Sequence, residues 1–319
     1  MRKLYVILIF MLSAVVAFAA SEEVAIECEW GNISATLSQP EGGSSTAVLI
    51  IAGSGPTDRN GNSALNLVTY CYKMLSDALV ERGYAVLRYD KRGIGGSTLA
   101  SGSANDVVFD DFVDDAAACV GYLRDRGYER VVVAGHSEGG SIAQCLEHRA
   151  DVSVEALVLL CAPGYSMDEI LLKQLSAQLM PNYVGLMLSA TNIIQQLKRG
   201  DMVAEERVPK ELVSLFHPVV QPYLISSMKH DPVKAASQSA LPTLVVTGGR
   251  DVQVSVDNGE RLSAAATNAY HKVFENMSHV LKDASSSDRV EQLVSVYVNQ
   301  NLPITEGLAD EISKFITNL

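Results

Sequence analysis

The sequence lacks an excess of basic residues. Lys and Arg number 25 against 37 Asp and Glu, which gives a formal net charge of −12 at pH 7. Nucleic acids and anionic membrane surfaces both select clusters of Lys and Arg. The charge therefore argues against nucleic-acid and anionic membrane partners, and a small neutral substrate fits better.

Paired cysteine spacing is also absent. The C-x-x-C spacing of zinc and redox sites does not occur among the five cysteines, which are Cys28, Cys71, Cys119, Cys145 and Cys161. We expect them to be buried apolar residues, and the sequence calls for no metal and no organic cofactor. An oxidising compartment would permit one disulfide, which sequence alone does not assign.

Beyond residue 20, no apolar run approaches the roughly 20 residues that a membrane-spanning helix needs. Residues 1–19 instead combine Arg2 and Lys3, an apolar run and the small-residue site Ala17-Phe18-Ala19. This pattern is typical of a signal peptide, here cleaved after Ala19; the run is short for the alternative, an uncleaved anchor. We expect an exported protein, periplasmic or extracellular, without stable membrane insertion after cleavage.

Short unbroken apolar runs alternate with helical patterns along the chain. Such runs are typical of strands buried on both faces, and they lie at 47–52, 85–89, 131–134, 156–160 and 243–246. Helical spacing appears at 70–82, 109–126 and 304–319, and an alternating strand pair is predicted at 24–37 with a turn at Gly31-Asn32. The pattern predicts an α/β fold with a mostly parallel central sheet flanked by helices.

Residues 166–240 interrupt this alternation. They are helical in pattern, rich in Leu and Met, and contain no convincing buried strand. An insertion between two strands would lie over the carboxyl ends of the sheet, where open α/β folds bind ligands. A helical cap and an ordinary packed subdomain are both open interpretations. The predicted organisation is a signal peptide at 1–19, a core at 20–165 and 241–319, and a cap insertion at 166–240.

The strongest chemical signal is G-H-S-E-G-G at 135–140, between a predicted strand and a helical stretch. In that context G-x-S-x-G places the serine in a strained strand-to-helix turn, and the glycines let the backbone pass without a Cβ clash. Ser137 is therefore the candidate nucleophile. The alternative is a tight turn in which Ser137 only caps a helix.

A serine hydroxyl needs a base to accept its proton and a carboxylate to orient that base. After a nucleophile of this kind, the acid comes next in the chain and the histidine last. Asp251 follows the predicted strand at 243–247 and so lies at its carboxyl end, whereas Asp257 and Glu260 fall in the next predicted helix. Asp251 is the candidate acid.

Among the six histidines, His279 lies in a loop after the last predicted strand, from which it can reach over the sheet edge. It is the candidate base. The other five fit less well: His271 is within a strand, His217 is in the insertion, His136 is inside the turn with its side chain directed away from the reacting atom, and His148 and His230 have polar, helix-terminal surroundings.

Acyl transfer also requires hydrogen-bond donors at the developing oxyanion. One should be the backbone N–H of Glu138, immediately after the nucleophile, and the other that of Ser54, in the glycine-rich loop after the strand at 47–52. The alternative for this loop is phosphate binding. It lacks both G-x-x-x-x-G-K-[ST] and G-x-G-x-x-G.

With these residues placed, the chain resembles the α/β-hydrolase superfamily, and more narrowly bacterial esterases of the EstD kind, grouped with serine aminopeptidases and lysophospholipase-like hydrolases. The segments that carry the resemblance are AGSGPTDRNGN at 52–62, YDKRGIGGS at 89–97, the turn at 135–140, GRD at 249–251 and SHVL at 278–281. Ala52 stands where many relatives have histidine, which leaves a backbone donor unaffected.

The resemblance implies a serine esterase that cleaves carboxylic esters of short to medium acyl chains through an acyl-enzyme on a Ser-His-Asp triad. It also implies a cap that shapes the acyl pocket and a segment at 90–97 that supports the oxyanion loop. The expected partner is a small-molecule ester, and the oligomeric state is not predicted. Peptidase and acyl-CoA thioesterase activities would use the same triad, and a non-catalytic binding protein of this fold is a further alternative.

Overall fold

The computed structural model describes residues 20–63 and 67–319. The predicted signal peptide at 1–19 lies outside the described residues, so cleavage and export stay predictions. Within the described part of the chain, no helix is long and apolar enough to cross a membrane. The five cysteines are all free.

A mostly parallel sheet forms the centre of the protein. The strands are β1 (Ala20–Cys28), β2 (Gly31–Gln39), β3 (Thr46–Ile51), β4 (Asn62–Ser63), β5 (Leu67–Val68), β6 (Ala85–Tyr89), β7 (Thr98–Leu99), β8 (Arg130–His136), β9 (Ala156–Leu160), β10 (Thr243–Gly248) and β11 (Ala269–Phe274). Over residues 20–63 and 67–319, nine strands form the main sheet in the order β1-β2-β6-β3-β8-β9-β10-β11, with β7 beside β2, while β4 and β5 form a separate pair.

The strands from β6 to β11 in that order run parallel, and β1, β2 and β7 add antiparallel pairs at one edge. The predicted α/β architecture is confirmed. The hairpin between β1 and β2 differs in detail, because Cys28 pairs with Gly31 and the turn falls at Glu29 and Trp30. The predicted turn residues Gly31 and Asn32 belong to β2.

The helices are α1 (Cys71–Glu81), α2 (Phe109–Asp125), α3 (Glu138–Glu147), α4 (Met167–Leu179), α5 (Val184–Lys198), α6 (Val213–Phe216), α7 (Gln221–Ser227), α8 (Pro232–Gln238), α9 (Val256–Ala265), α10 (Arg289–Ser295) and α11 (Leu308–Thr317). Short 3-10 helices occur at Ala104–Asp106, Glu205–Arg207, Lys210–Leu212 and Pro218–Val220. The helices predicted at 70–82 and 109–126 agree with α1 and α2 to within about one residue at each end, which is the usual uncertainty of a helix boundary.

The central strands of the sheet are buried on both faces, as their unbroken apolar runs predict, whereas the edge strands β1 and β11 are mostly exposed or half-buried. Alternate side chains of a strand point to opposite faces, so Leu49 and Ile51 of β3 pack in one cluster with residues of α2 and α3. Val48 and Ile50 pack in another cluster with residues of α1 and α11. Because these strands run parallel, their carboxyl ends lie at one edge of the sheet.

Helices α4 to α8 lie between β9 and β10, within the stretch that interrupts the strand and helix alternation. Helices α4 to α7 enclose a separate apolar cluster that includes Leu171, Ile194, Leu197 and Phe216. Ala236 of α8 packs instead in the cluster of α2 and α3. The structure describes every residue between β9 and β10, and this segment contains no strand. A gating role for these helices stays a prediction.

Candidate active site

Ser137 lies between β8 and α3 in a strained backbone conformation, with φ 54° and ψ −123°. Non-glycine residues rarely adopt positive φ, and such strain costs on the order of 1–3 kcal/mol. The glycines around it allow close packing: a Cβ on Gly135 would lie 2.1 Å from the Gly139 carbonyl oxygen, and one on Gly139 would lie 2.4 Å from that of Ile51. The local backbone is therefore the sharp turn that the motif predicts.

The structure brings Asp251 and His279 together. Asp251 follows β10 and His279 follows β11, two neighbouring parallel strands. His279 Nδ1 donates to Asp251 Oδ2 at 2.8 Å, and Asp251 Oδ1 accepts from the backbone N–H groups of Gln253 and Val254, each at 2.8 Å. The carboxylate side chain is fully buried and the imidazole is 7% exposed.

Burial alone would raise the pKa of Asp251, but the charge on His279 and the hydrogen bonds from His279, Val254 and Gln253 outweigh it and hold the pKa below its ordinary value. The carboxyl group is therefore ionised near neutral pH. An ionised carboxylate on Nδ1–H fixes the imidazole tautomer in which Nε2 is free to accept a proton.

Ser137 and His279 face one cavity of about 210 Å³, which Gly53, Ser54 and Tyr297 also line. Among the described residues, no hydrogen bond joins the Ser137 hydroxyl to the His279 imidazole. Catalytic hydrogen bonds often become short only when substrate is bound. The two side chains are thus placed at one cavity, with the His279 imidazole oriented by its hydrogen bond to Asp251.

Ser54 and Glu138 line a second cavity, of about 420 Å³, together with Ser137. Glu138 is the first residue of α3, and N–H groups in the first turn of a helix have no intrahelical acceptor. The peptide that carries the Ser54 N–H has its oxygen, Gly53 O, bound by Lys91 Nζ at 2.6 Å. Since N–H and C=O point in opposite directions in a trans peptide, the Ser54 N–H is directed away from Lys91.

Two of the segments that carry the family resemblance bind each other beside this loop. Asp90 accepts from Arg59 N at 2.7 Å, from Arg59 Nη2 at 2.8 Å and from Gly96 N at 2.8 Å. Ser97 Oγ donates to Asp90 O at 2.7 Å, and a Cβ on Gly95 would lie 2.3 Å from Asp90 Oδ2. The segment at 90–97 is folded around the Asp90 carboxylate.

The Glu138 side chain joins the serine turn to the inserted helices. It accepts a hydrogen bond from the hydroxyl of Tyr223 in α7 and lies 3.6 Å from Lys91 Nζ. Burial lowers the pKa of Lys91, and the charge on Glu138 opposes that shift. This buried group carries no signal in the sequence, because its members are distant along the chain.

His136 and Tyr72 also contact the site. His136 lies with its ring centroid 4.8 Å from that of His279, and its nitrogens bind Tyr72 Oη and His279 O, each at 2.7 Å. The sequence predicts only that the His136 side chain is directed away from the reacting atom. Only its position next to Ser137 in the sequence could have indicated that His136 contacts the site. No feature of the sequence indicates this for Tyr72.

The remaining candidates are held by other contacts, although His230 also lines the cavity of about 420 Å³ together with Ser137. Asp257 accepts from Tyr165 Oη at 2.8 Å, and Glu260 is exposed on α9. His271, on β11, has its Nε2 2.8 Å from Thr247 Oγ1. His230 differs from the polar surroundings that the sequence predicts, since it stacks on Phe109 with a centroid distance of 6.1 Å.

One group of potential metal ligands occurs in the described part of the chain: nitrogen and sulfur atoms of His136, Cys161 and His279 lie within 4.8 Å of one another. Both His136 nitrogens are already hydrogen-bonded. Burial, followed by the charge on Asp251, raises the pKa of the Cys161 thiol well above its ordinary value, whereas a metal binds the thiolate. The group does not fit a metal ion.

Comparison with known proteins identifies the family. The family model described as serine aminopeptidase, S33, matches residues 68–283, well over half of the chain. The chain belongs to this family. Its α/β-hydrolase fold is shared by Est1E from Butyrivibrio proteoclasticus, solved with ferulic acid bound, at a TM-score of 0.59 and 18% identity over 92% of this chain and 98% of that one.

Two esterases extend the comparison. The Pyrococcus furiosus esterase Pf2001 has a TM-score of 0.57 and 20% identity, covering 94% of this chain and 91% of its own. Esterase EstD of Thermotoga maritima is 25% identical over 279 residues, which cover 85% of this chain and 61% of EstD. The chain thus spans less than two thirds of the length of that curated relative.

Proposed function

We propose that this member of the serine aminopeptidase S33 family is a serine esterase that cleaves carboxylic esters of short to medium acyl chains. The observation that supports it most directly is the Asp251–His279 hydrogen bond of 2.8 Å, made by a histidine that shares a cavity with the strained Ser137. The esterase names of EstD, Est1E and Pf2001 support the same class of reaction.

In the proposed reaction, Ser137 Oγ attacks the ester carbonyl while His279 Nε2 takes its proton. The N–H groups of Ser54 and Glu138 stabilise the oxyanion of the tetrahedral intermediate. His279 then gives the proton to the leaving alcohol, which breaks the ester bond and leaves an acyl-enzyme. Water then attacks the acyl-enzyme while His279 takes its proton, and His279 returns that proton to Ser137 Oγ as the serine–acyl bond breaks and the acid is released.

The two cavities suggest how the ester would lie. The leaving alcohol must be near the general acid, and His279 lines the cavity of about 210 Å³. The acyl chain would then occupy the cavity of about 420 Å³, where Met167, Ile170 and Leu171 of α4 supply apolar surface. In this arrangement the inserted helices act as a cap that determines which acyl chains bind.

The decisive test is Ser137→Ala assayed with p-nitrophenyl acetate and butyrate. We expect kcat/KM to fall by at least about 10³-fold, because the nucleophile is lost, while the thermal melting temperature stays within a few degrees. Ser76→Ala is a matched control, since Ser76 is a fully buried serine in α1. Retained activity in Ser137→Ala would contradict the assignment.

A peptidase or an acyl-CoA thioesterase would use the same residues, and the family description favours the peptidase as the second candidate. Presenting one acyl group as ester, anilide and CoA thioester compares the three leaving groups directly. We expect the ester to give the highest kcat/KM. A fluorophosphonate probe that failed to label Ser137 would favour a binding protein.

Export is part of the proposal. If residues 1–19 are a signal peptide, the protein recovered from the producing cell should begin at Ala20. Amino-terminal sequencing of the exported protein checks this.

A further inference from the structure

A continuous chain of buried hydrogen bonds runs behind Ser137. The Gly53 N–H donates to Tyr72 Oη at 3.0 Å, Tyr72 Oη lies 2.7 Å from His136 Nδ1, and His136 Nε2 lies 2.7 Å from His279 O. Tyr72 is 2% exposed and His136 is 5% exposed. These hydrogen bonds thus connect the loop of Ser54 to the loop of His279 through buried groups only.

The donor and the acceptor of each of these hydrogen bonds can be assigned, starting from the His279 carbonyl oxygen. A carbonyl oxygen only accepts, so His136 Nε2 carries the proton that it gives to His279 O. Burial, with the nearby charge on His279, lowers the pKa of His136 to about 3, so its ring is neutral near pH 7 and Nδ1 is an acceptor. The Tyr72 hydroxyl therefore donates to Nδ1, and its oxygen accepts from the Gly53 N–H.

The same loop is held from its other side. Lys91 Nζ donates to Gly53 O, and a Cβ on Gly53 would lie 3.1 Å from Ser137 Cβ. Gly53 is thus bound through both its N–H and its C=O, directly against the serine. The peptide that follows it carries the Ser54 N–H, so a shift at Gly53 would move that donor.

We propose that Tyr72 and His136 are positioning residues that hold the oxyanion loop at Gly53 and the general-base loop at His279 in a fixed relation to Ser137. They act through Gly53 and His279 and not on the reacting atoms. This inference rests on the proposed serine hydrolase function and deepens it. Transition-state stabilisation depends on donors being held in place before the reaction, which is what the hydrogen-bond chain supplies.

The test is Tyr72→Phe, which removes only the hydroxyl. We expect kcat for p-nitrophenyl butyrate to fall by about 10- to 100-fold, less than the 10²- to 10³-fold of deleting an oxyanion donor outright, with KM within about twofold. The affinity for butylboronic acid, whose serine adduct is tetrahedral, should fall by a similar factor. A purely structural role would leave the ratio of boronate affinity to KM unchanged.

Tyr84→Phe is the matched control. Tyr84 is a buried tyrosine whose hydroxyl lies 3.1 Å from Ser313 O and 3.2 Å from Thr317 Oγ1, at α11 and away from both cavities. It should lower the melting temperature and leave kcat and boronate affinity unchanged. If Tyr84→Phe lowered kcat as much as Tyr72→Phe, the effect would be general loosening, and the inference would be overturned.

Variants of His136 test whether these buried hydrogen bonds act as one unit. His136→Leu removes both of its hydrogen bonds, and His136→Gln keeps a donor in the position of Nε2, so we expect kcat to recover in part in His136→Gln. Tyr72→Phe added to His136→Leu should cost little more than His136→Leu alone, because residues of one network are not additive. Fully multiplicative losses would overturn the inference.

The inference and the proposed function fail in different ways. A wild-type protein that hydrolyses no ester and is not labelled at Ser137 overturns both. A wild-type protein that is active, with Tyr72→Phe equal to it in kcat and in boronate affinity, overturns the inference alone.

Discussion

The serine turn and the inserted helices α4 to α8 differ in how much change their backbones can accept. In the turn, a Cβ on Gly135 would lie 2.1 Å from Gly139 O, whereas a Cβ on Gly185 in α5 would meet no atom within 4 Å. The insertion also exposes large apolar side chains, among them Tyr183 at 60% and Leu188 at 62%. One region is fixed by contacts between backbone atoms, and the other by side chains around its own core.

The two regions also differ in the role proposed for them: one would carry out the reaction and the other would select the substrate. The groups proposed to break bonds lie on the turn and the ends of the strands, while α4 of the insertion supplies several side chains to the cavity of about 420 Å³. We therefore expect substitutions in α4 to change the cavity without moving the strand ends. A fold does not determine which substrates its site accepts, so the acyl specificity of the proposed esterase would depend on the side chains of α4.

The largest expected effect comes from Gly135→Ala. The new methyl group cannot fit against Gly139 O, so the turn must distort, and we expect a loss of more than about 4–5 kcal/mol in the free energy of unfolding, or failure to fold. Gly185→Ala, the same change in the insertion, should stabilise by about 0.5–1 kcal/mol. Urea unfolding of both variants measures the contrast.

Equal changes in the free energy of unfolding for the two variants would show that the two backbones do not differ in how much change they accept. A stable, active Gly135→Ala protein would show in particular that the turn can relax around a Cβ. The distance of 2.1 Å makes that outcome incompatible with this backbone.

A smaller effect is expected from Ile194→Ala in the core of the insertion. Ile194 is 1% exposed, and truncating a buried isoleucine costs about 2–5 kcal/mol. Below the melting temperature, kcat for p-nitrophenyl acetate should stay within a few-fold of wild type, because no contact of Asp251 or His279 is removed. Unfolding curves and steady-state kinetics on the same sample check both parts, with Ile194→Val as the milder control.

A loss of kcat in Ile194→Ala as large as that in Ser137→Ala would mean that the two regions are not separable. The buried contact between Tyr223 of α7 and Glu138 of the turn is the route by which such coupling would pass.

The smallest of these effects is the dependence of stability on pH that His230 contributes. Burial lowers the pKa of His230, at the end of α7, from 6.5 to about 4. The unfolded chain therefore binds a proton that the folded protein excludes. This contribution to stability is complete above pH 6.5 and is lost as the pH falls towards 4, at about 1.4 kcal/mol per pH unit.

His230→Gln should reduce the slope of unfolding free energy against pH by that amount between about pH 6 and 4.5. His136, in the site, is buried in the same way and keeps its own share of the slope in both proteins. Urea unfolding at a series of pH values measures the change. An unchanged slope would show that His230 is protonated in the folded protein.

Local patterns were sufficient for the sheet and for the order of the site residues. The apolar run at 47–52 corresponds to β3 to within one residue and the run at 131–134 lies in β8, because a strand buried on both faces needs apolar side chains at every position. The turn at Ser137 was predictable since its glycines lie within three residues of the serine in the chain. The partnership of Asp251 and His279 was predictable in part, because both follow neighbouring strands; their catalytic roles stay proposals.

The sequence by itself determined the α/β class, the strained serine turn and the strands that precede Asp251 and His279, since each depends on residues close together in the chain. Only the tertiary structure decided that Tyr72, Lys91 and His136 meet around Gly53 and His279, and that Tyr223 reaches Glu138. Those contacts join residues up to 143 positions apart. They depend on how elements pack, and packing leaves no periodic signal in any one segment.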